Sequence, residues 1–200
     1  MWGHRRRRKP VAIQESAMSR IPTPSTIETS PAPSQPLLKA VKQQLGSVPN
    51  LHRMIGNSPA SLGGYLALGA ALGRGDLDVR TRNRIALTVA QENGCDYCLS
   101  AHTYLGRNLA KLDDAEMALN RDATSSDPRA AAAVRFAAQV VRARGHVADA
   151  ELTAIRAAGF SDGEILEVVA HVALNTLTNY VNTVAGTDID FPLVSVHDGK

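Results

Sequence analysis

Two hundred residues with 44% hydrophobic and 20% charged side chains describe an ordinary globular chain, long enough for one domain or at most two small ones. A chain of this length buries roughly 70% of its unfolded surface and needs no disulfide or metal staple, and no apolar stretch reaches the ~18 residues of a membrane span. The net charge of +3 and pI of about 9.1 suggest a polyanionic partner, but Arg5, Arg6, Arg7, Arg8 and Lys9 against Glu15 give residues 1–17 a net +4 and leave the rest of the chain at −1.

The basic run is therefore a short tail on a nearly neutral body. Lys9-Pro10-Val11-Ala12-Ile13-Gln14-Glu15 turns polar at once, so the run has no apolar region of the kind that follows it in an export signal. Translation starting at Met18 is the preferred reading of the tail; nucleic-acid contact and an import signal are its alternatives. No nucleic-acid or membrane partner is expected, and the expected location is cytoplasmic.

In chain order, six of the ten prolines fall in residues 1–36, and Ile21–Gln35 is rich in Pro, Ser and Thr. That composition disfavours helix and sheet, so residues 1–35 are expected to form an extended or disordered leader. From there a helical domain is expected over residues 36–192, with 193–200 as a tail. Leu37, Leu38, Val41 and Leu45 repeat at helical spacing and stop at Gly46. A short helix is expected over Asn50–Gly56, a longer one from Pro59 to about Gly73, and a mostly buried one over Asp78–Asn93 carrying Ile85, Leu87, Val89 and Ala90. Asp113-Asp114-Ala115-Glu116 and Ser161-Asp162-Gly163-Glu164 read as capping boxes. Asp127-Pro128 opens an Ala-rich helix ending near Gly145, and the last helix should run from Asp162 to about Ala185. No segment alternates like a strand and no fixed-period repeat indicates a solenoid. The fold class is all-α, one compact helical domain with an extended N-terminal arm.

The two cysteines stand together in Glu92-Asn93-Gly94-Cys95-Asp96-Tyr97-Cys98-Leu99-Ser100-Ala101-His102, which is not how a secreted disulfide scaffold spends them. Asn93-Gly94 breaks one helix and a new one is expected to begin at Cys95. At about 100° per residue, Cys98 lies about 300° and His102 about 340° from Cys95, so all three share one face. A thiol near a helix N-terminus, beside a second thiol and an imidazole, is lowered from its usual ~8.5 into the ~3.5–7.5 range. A thiolate attacks peroxides and disulfides, a neighbouring cysteine resolves the sulfenic acid, and His102 is placed to move the proton. Two other readings stand beside this one. The cysteines could be small buried hydrophobes. Alternatively, Cys95, Cys98 and His102 could hold zinc, which would need a distant fourth ligand such as His171.

The run Asn-Gly-Cys-Asp-Tyr-Cys-Leu-Ser-Ala-His-Thr, residues 93–103, resembles the core motif of the alkyl hydroperoxidase D-like proteins of the carboxymuconolactone decarboxylase superfamily. Residues 170–180 and the ending Asp188-Ile189-Asp190-Phe191-Pro192 resemble one branch of that family, and the likeness spans roughly residues 20–192. The resemblance implies an all-helical fold, homotrimers or hexamers, and peroxide reduction without a cofactor. It makes Cys98 the peroxidatic cysteine, Cys95 its proton donor and resolving partner, and His102 part of the proton relay, with hydroperoxide as substrate and an external dithiol or protein reductant. The family's true decarboxylases generally lack the cysteine pair. Two departures stand out. Asn83 occupies the position of the usual relay glutamate, leaving Glu92 as the nearest carboxylate to substitute, and Tyr97 precedes the second cysteine where a histidine can stand. The alternatives carried with the peroxidase reading are a disulfide reductase serving another peroxidase and a non-enzymatic metal-binding or redox-sensing module.

On the last helix His171, Asn175, Asn179 and Asn182 fall within about 80° of one another. Buried polar groups need partners, so this stripe should line a site or a subunit contact, and a satisfied core or interface network is preferred over direct catalysis. His52, His146 and His197 are expected in loop-like or exposed settings. Arg80, Arg82 and Arg84 are expected on a solvated or intersubunit face.

Overall fold

The computed structural model describes residues 19–198; the basic run and Met18 lie outside the described residues. Helix α1 (Gln35–Leu45) turns Leu38 and Val41 inward and ends where Gly46 takes a left-handed φ of 78°. Helix α2 (Asn50–Ile55) is a single apolar-faced turn and a half, and α3 (Pro59–Leu72) starts at Ser58, whose side chain accepts the Ser61 N–H. Asp78 caps α4 (Val79–Glu92) by accepting the Thr81 N–H at 2.7 Å. Helix α5 (Asp96–Leu105) runs into a π-type turn over Gly106–Ala110 that closes at Lys111 with φ 53°. Helices α6 (Asp114–Arg121), α7 (Pro128–Arg142), α8 (Asp149–Ala157) and α9 (Asp162–Ala185) complete the body. Among the described residues the structure is all helical, with no strand, in one compact domain.

The caps explain why the helix limits fall where they do. Asp113 accepts the Glu116 N–H and Asp127 accepts from Arg129 and Ala130, each satisfying amides that the first turn leaves open. Of the two expected capping boxes, that of Ser161 and Glu164 is complete, with Glu164 N→Ser161 Oγ at 3.1 Å and Ser161 N→Glu164 Oε2 at 2.9 Å. At Asp113 only the aspartate half forms, because the Glu116 carboxylate points into the core. Helix α8 has no counterpart in the sequence expectations. Its N-cap is Ala148, so its start lacks the Ser/Thr/Asp signal, and only Glu151, accepting the Ala148 N–H at 3.1 Å, marks it.

Helix α4 is buried on nearly every side and separates two apolar clusters. Leu87 and Ala90 face one, with Leu38, Leu62 and Leu99. Ile85 and Val89 face the other, with Phe136, Ile155 and Val168. Being wrapped by neighbours also decides the fate of Arg84. The sequence reading put it on a solvated or intersubunit face, but it is 6% exposed and bonds Glu116 of α6 at 2.8 Å. Glu116 in turn accepts from Asn120 Nδ2, Ser125 Oγ, and the backbone N–H and Oγ of Ser126. Burial would raise this carboxyl, but the hydrogen bonds from Ser125, Ser126 and Asn120 outweigh it and hold the group at about 2 instead of 4.5.

Both ends of the described chain dock on the body. Residues 19–31 form loop and turns, Ala32–Ser34 a short 3₁₀ helix, and the segment is packed on the body: Arg20 N–H reaches the Ala185 carbonyl, and buried Ser34 donates to the Gly56 carbonyl at 2.7 Å. After α9, residues 187–198 lie back across α5. Val194 N donates to Ser100 Oγ at 2.9 Å, and Val196 N to Asp96 Oδ1 at 2.7 Å. Arg121 clasps the strap's end through the Ser195 and Asp198 carbonyls.

Glu116 contributes to the acid sensitivity of the fold. A carboxyl near 4.5 when unfolded and about 2 when folded contributes stability that is present above pH 4.5 and is lost as the pH falls toward 2. Glu116→Gln, which strands the Arg84 guanidinium, is expected to cost about 3 kcal/mol in urea unfolding at pH 7. It should also flatten the loss of stability between pH 4.5 and 2, and an acid limb identical to the parent's would locate that linkage elsewhere.

Candidate active site

The site begins at the break between α4 and α5. Gly94 takes a φ of 68°, which a residue without Cβ adopts freely, and Asn93 pins the corner to α9 by donating to Asn179 Oδ1 at 2.9 Å. Cys95 is the N-cap of α5, in extended conformation at φ −100° and ψ 96°, and its sulfur accepts the Cys98 N–H at 3.3 Å. Both thiols are free and buried, at 3% and 2% exposure.

Cys98 sits in the first turn of α5, where the helix N-terminus favours negative charge. Asn182 of α9 donates its Nδ2–H to the Cys98 sulfur at 3.2 Å. A hydrogen bond from Cys95 is the foremost cause that pulls the Cys98 thiol below its ordinary value, with Asn182, Asn179 and Thr178 adding to it against the opposing effect of burial. Cys95 moves the other way, upward, because it donates to Cys98 and is itself desolvated. The pair is thus divided, with Cys98 the sulfur that gives up its proton more readily and Cys95 the one that keeps it.

A cavity of about 280 Å³ opens beside Cys98, and His102, Asn83, Asn175, Tyr65 and His171 share its wall. Burial drops the His102 imidazole to about 4 despite a hydrogen bond with Asn175, so the ring is neutral through the physiological range, and its Nδ1 has no partner among the described residues. Burial also keeps the Tyr65 phenol protonated, raising it to about 12. Asn83 donates to the His102 carbonyl at 3.1 Å, so it holds the backbone of the histidine rather than its ring. Gly106 permits this approach, since a Cβ there would stand 2.8 Å from Asn83 Nδ2 and 2.7 Å from Met117 Sδ.

Four placements differ from the sequence expectations. Cys95 does not line the cavity with Cys98 and His102. It faces a separate depression of about 190 Å³ bordered by Asn182, Gly186, Thr187 and Ile189. The helical-wheel angle fails for it because a capping residue is extended, outside the 3.6-residue period. Glu92 does not reach the cavity either: it is held by Arg142 of α7, whose Nε donates at 2.9 Å. The polar stripe of α9, read mainly as core or interface, instead supplies Asn182 to the Cys98 sulfur and Asn175, Thr178 and His171 to the cavity. Tyr65 carried no sequence signal beyond being one aromatic among apolar residues. His52, expected in a loop or exposed, is half-buried in α2 with its ring 5.6 Å from that of Tyr65. Among the described residues no three His, Cys, Asp or Glu side chains are grouped to hold a metal ion.

Comparison with known proteins agrees with this geometry. The model of the carboxymuconolactone decarboxylase family matches residues 59–139, a span that contains the cysteine pair and His102. A Ralstonia eutropha peroxidase-related protein with an alkylhydroperoxidase AhpD core superposes with a TM-score of 0.76 at 27% identity, covering 86% of this chain and 93% of its own. In its fold and in the span that carries the cysteine pair, the chain is similar to the alkyl hydroperoxidase D-like proteins of the carboxymuconolactone decarboxylase superfamily. A peroxidase-related protein of Silicibacter shares the alkyl hydroperoxidase D-like fold at 23% identity, with a TM-score of 0.72 over 95% of this chain and 98% of that one. The debrominase Bmp8 shares it at 19% identity, with a TM-score of 0.67 over 80% and 87%. A Haemophilus influenzae protein of uncharacterized function is 51% identical over 45 residues, 22% of this chain, and the match spans 40% of that relative's length. The fold is thus one that peroxidase-related proteins and a debrominase have in common.

The Asn182 contact has a measurable consequence. Loss of a hydrogen bond to a charged sulfur, worth about 1.5–3 kcal/mol, raises a thiol by about one unit or more. Asn182→Ala is expected to shift the pH midpoint of Cys98 alkylation by iodoacetamide upward by at least about one unit and slow the reaction at neutral pH. An unshifted midpoint would mean that Asn182 does not stabilise the thiolate.

Proposed function

We propose that the protein is a thiol-dependent peroxidase that reduces hydroperoxides through a Cys95–Cys98 dithiol/disulfide cycle. The observation that carries this reading is the Cys98 sulfur at the wall of a cavity, supplied with hydrogen-bond donors from Cys95 and Asn182. Cys98 gives up its proton to solvent by way of His102, whose neutral ring relays the proton without keeping it. The thiolate attacks the distal peroxide oxygen, the O–O bond breaks, and the leaving alkoxide takes the Cys95 proton to depart as alcohol. The Cys95 thiolate then attacks the sulfur of the Cys98 sulfenic acid, and hydroxide leaves as water with a proton relayed from solvent through His102. An external dithiol or protein reductant restores both thiols, and the separate depression over Cys95 gives it a route that does not cross the substrate cavity.

No cofactor enters this cycle. A reducing compartment suits a dithiol-recycled enzyme, and the cytoplasm is the proposed location; no helix among the described residues is long and apolar enough to cross a membrane. The exposed stripe of Leu166, Val169, Leu177, Tyr180 and Val184 along α9 supports a homotrimer or hexamer as the working assembly.

Reduced protein given one equivalent of hydroperoxide is expected to lose both thiols. Cys98→Ser should abolish peroxide consumption, and Cys95→Ser should leave a sulfenic acid that dimedone traps. A Cys98→Ser variant that consumes peroxide as fast as the parent overturns the assignment, and disulfide exchange without peroxide consumption would favour the disulfide-reductase alternative. Asn83→Glu, which places a carboxylate at the relay position, should raise the single-turnover rate at neutral pH. With Glu92 tied to Arg142, an unchanged rate would assign the relay to water.

A further inference from the structure

Arg82 is the charged group of the cavity wall that the peroxide cycle leaves idle. It rises from α4 beside the C-terminal end of α3, where its Nη1 donates to the Leu72 carbonyl at 3.1 Å. Among the described residues no carboxylate pairs with it. The acid on the facing helix, Glu167 of α9, spends both oxygens on backbone, accepting Asp76 N–H at 3.0 Å and Leu77 N–H at 3.2 Å.

Two further features point into the same space. His171 is 5% exposed and lines the cavity, and its Nε2 is buried without a partner. Burial and the neighbouring charge of Arg82 hold its ring neutral, at about 4, so it offers a hydrogen bond rather than a second charge. Gly69 of α3 and Gly73, its C-cap, both line the cavity; a Cβ at 69 would meet nothing within 4 Å, and one at 73 would stand 3.2 Å from the Gly69 carbonyl oxygen and 3.9 Å from Arg82 Nη1. The cavity therefore passes backbone without side chains on its way to the guanidinium.

We propose that this end of the cavity is a carboxylate-binding subsite, in which Arg82 and His171 receive the acid group of a small organic substrate whose apolar body lies against Leu105, Leu109 and Leu174 toward Cys98. A guanidinium presents a planar fork that matches a carboxylate, and an unpaired charge at a partly dry wall gains from an incoming anion. The volume of about 280 Å³ sits at the low end of the usual ~300–1,000 Å³ for ligand pockets, which limits the ligand to a small acid. The reacting group is then a hydroperoxide borne by a carboxylic acid. That part rests on the peroxidase reading, whereas binding of the acid does not.

The test uses the full-length reduced protein and reads alkylation of Cys98 by iodoacetamide, with hexanoate and hexanamide as probes. Hexanoate is expected to slow alkylation at least fivefold at saturation while hexanamide at equal concentration does not. Arg82→Gln should abolish the protection, and Arg82→Lys, which keeps the charge, should retain part of it. Equal protection by the two probes, protection by neither, or full protection by hexanoate in Arg82→Gln overturns the subsite. If Arg82→Gln does not fold, the comparison of probes on the parent protein still decides. Failure of the peroxidase reading would look different, with protection intact but no thiols lost to hydroperoxide.

Discussion

The sulfur of Cys95 accepting the amide of Cys98 is the contact on which the site hangs. A helix start must satisfy its open N–H groups, and here the capping atom is itself half of the reactive pair. Capping fixes Cys95 in extended backbone, sets Cys98 one turn into α5, and turns the two sulfurs toward different spaces while leaving them neighbours. Everything around the corner serves that placement. Gly94 supplies the positive φ, Asn93 ties the corner to α9, and Asn182 returns a donor to the inner sulfur.

The second frame is α4. A helix buried on nearly all sides cannot shift without disturbing both apolar clusters, so Asn83 and Arg82 enter the cavity from a fixed wall. The Arg84–Glu116 pair adds a polar tie on the same helix. Such a pair is weak evidence for net stability, but removing one partner leaves the other charged and dry. The polar stripe of α9 closes the opposite side. Some of its atoms, among them Asn182 Oδ1 and His171 Nε2, have no partner among the described residues.

Much of this was legible because its causes are local. Asp78, Asp127 and Ser161 announce helix starts by their own chemistry, and α9 begins and ends where Ser161 and Gly186 put it. The motif from Asn93 to His102 placed Cys98 and His102 together at one cavity for the same reason, since both lie inside one helix. What was not legible depends on partners distant in sequence. Nothing near Arg84 says that Glu116 will meet it, and nothing near Glu92 says that Arg142 will draw it away from the cysteines. The stripe from His171 to Asn182 was visible as a stripe, but its meaning lay in which helix faced it. Cys95 failed by one residue, because a wheel counts a cap as helix when its backbone is not. Helix α8 was missed because an alanine stands where a capping side chain would have signalled it.

The two residues between the cysteines are fully engaged. Asp96 accepts the Val196 N–H, and Tyr97 donates to Asp190 at 2.8 Å while accepting the Leu51 N–H at 3.0 Å, with Phe191 edge-on to its ring. In a bare CxxC loop these are the positions at which the potential of the dithiol is most simply adjusted. Here they are also the buckle of the C-terminal strap, so substitution at either is coupled to residues almost a hundred positions away. Divergence within this lineage should therefore leave a paired signature, with changes at 97 accompanied by changes at 190 and the spacer drifting only as fast as the strap allows.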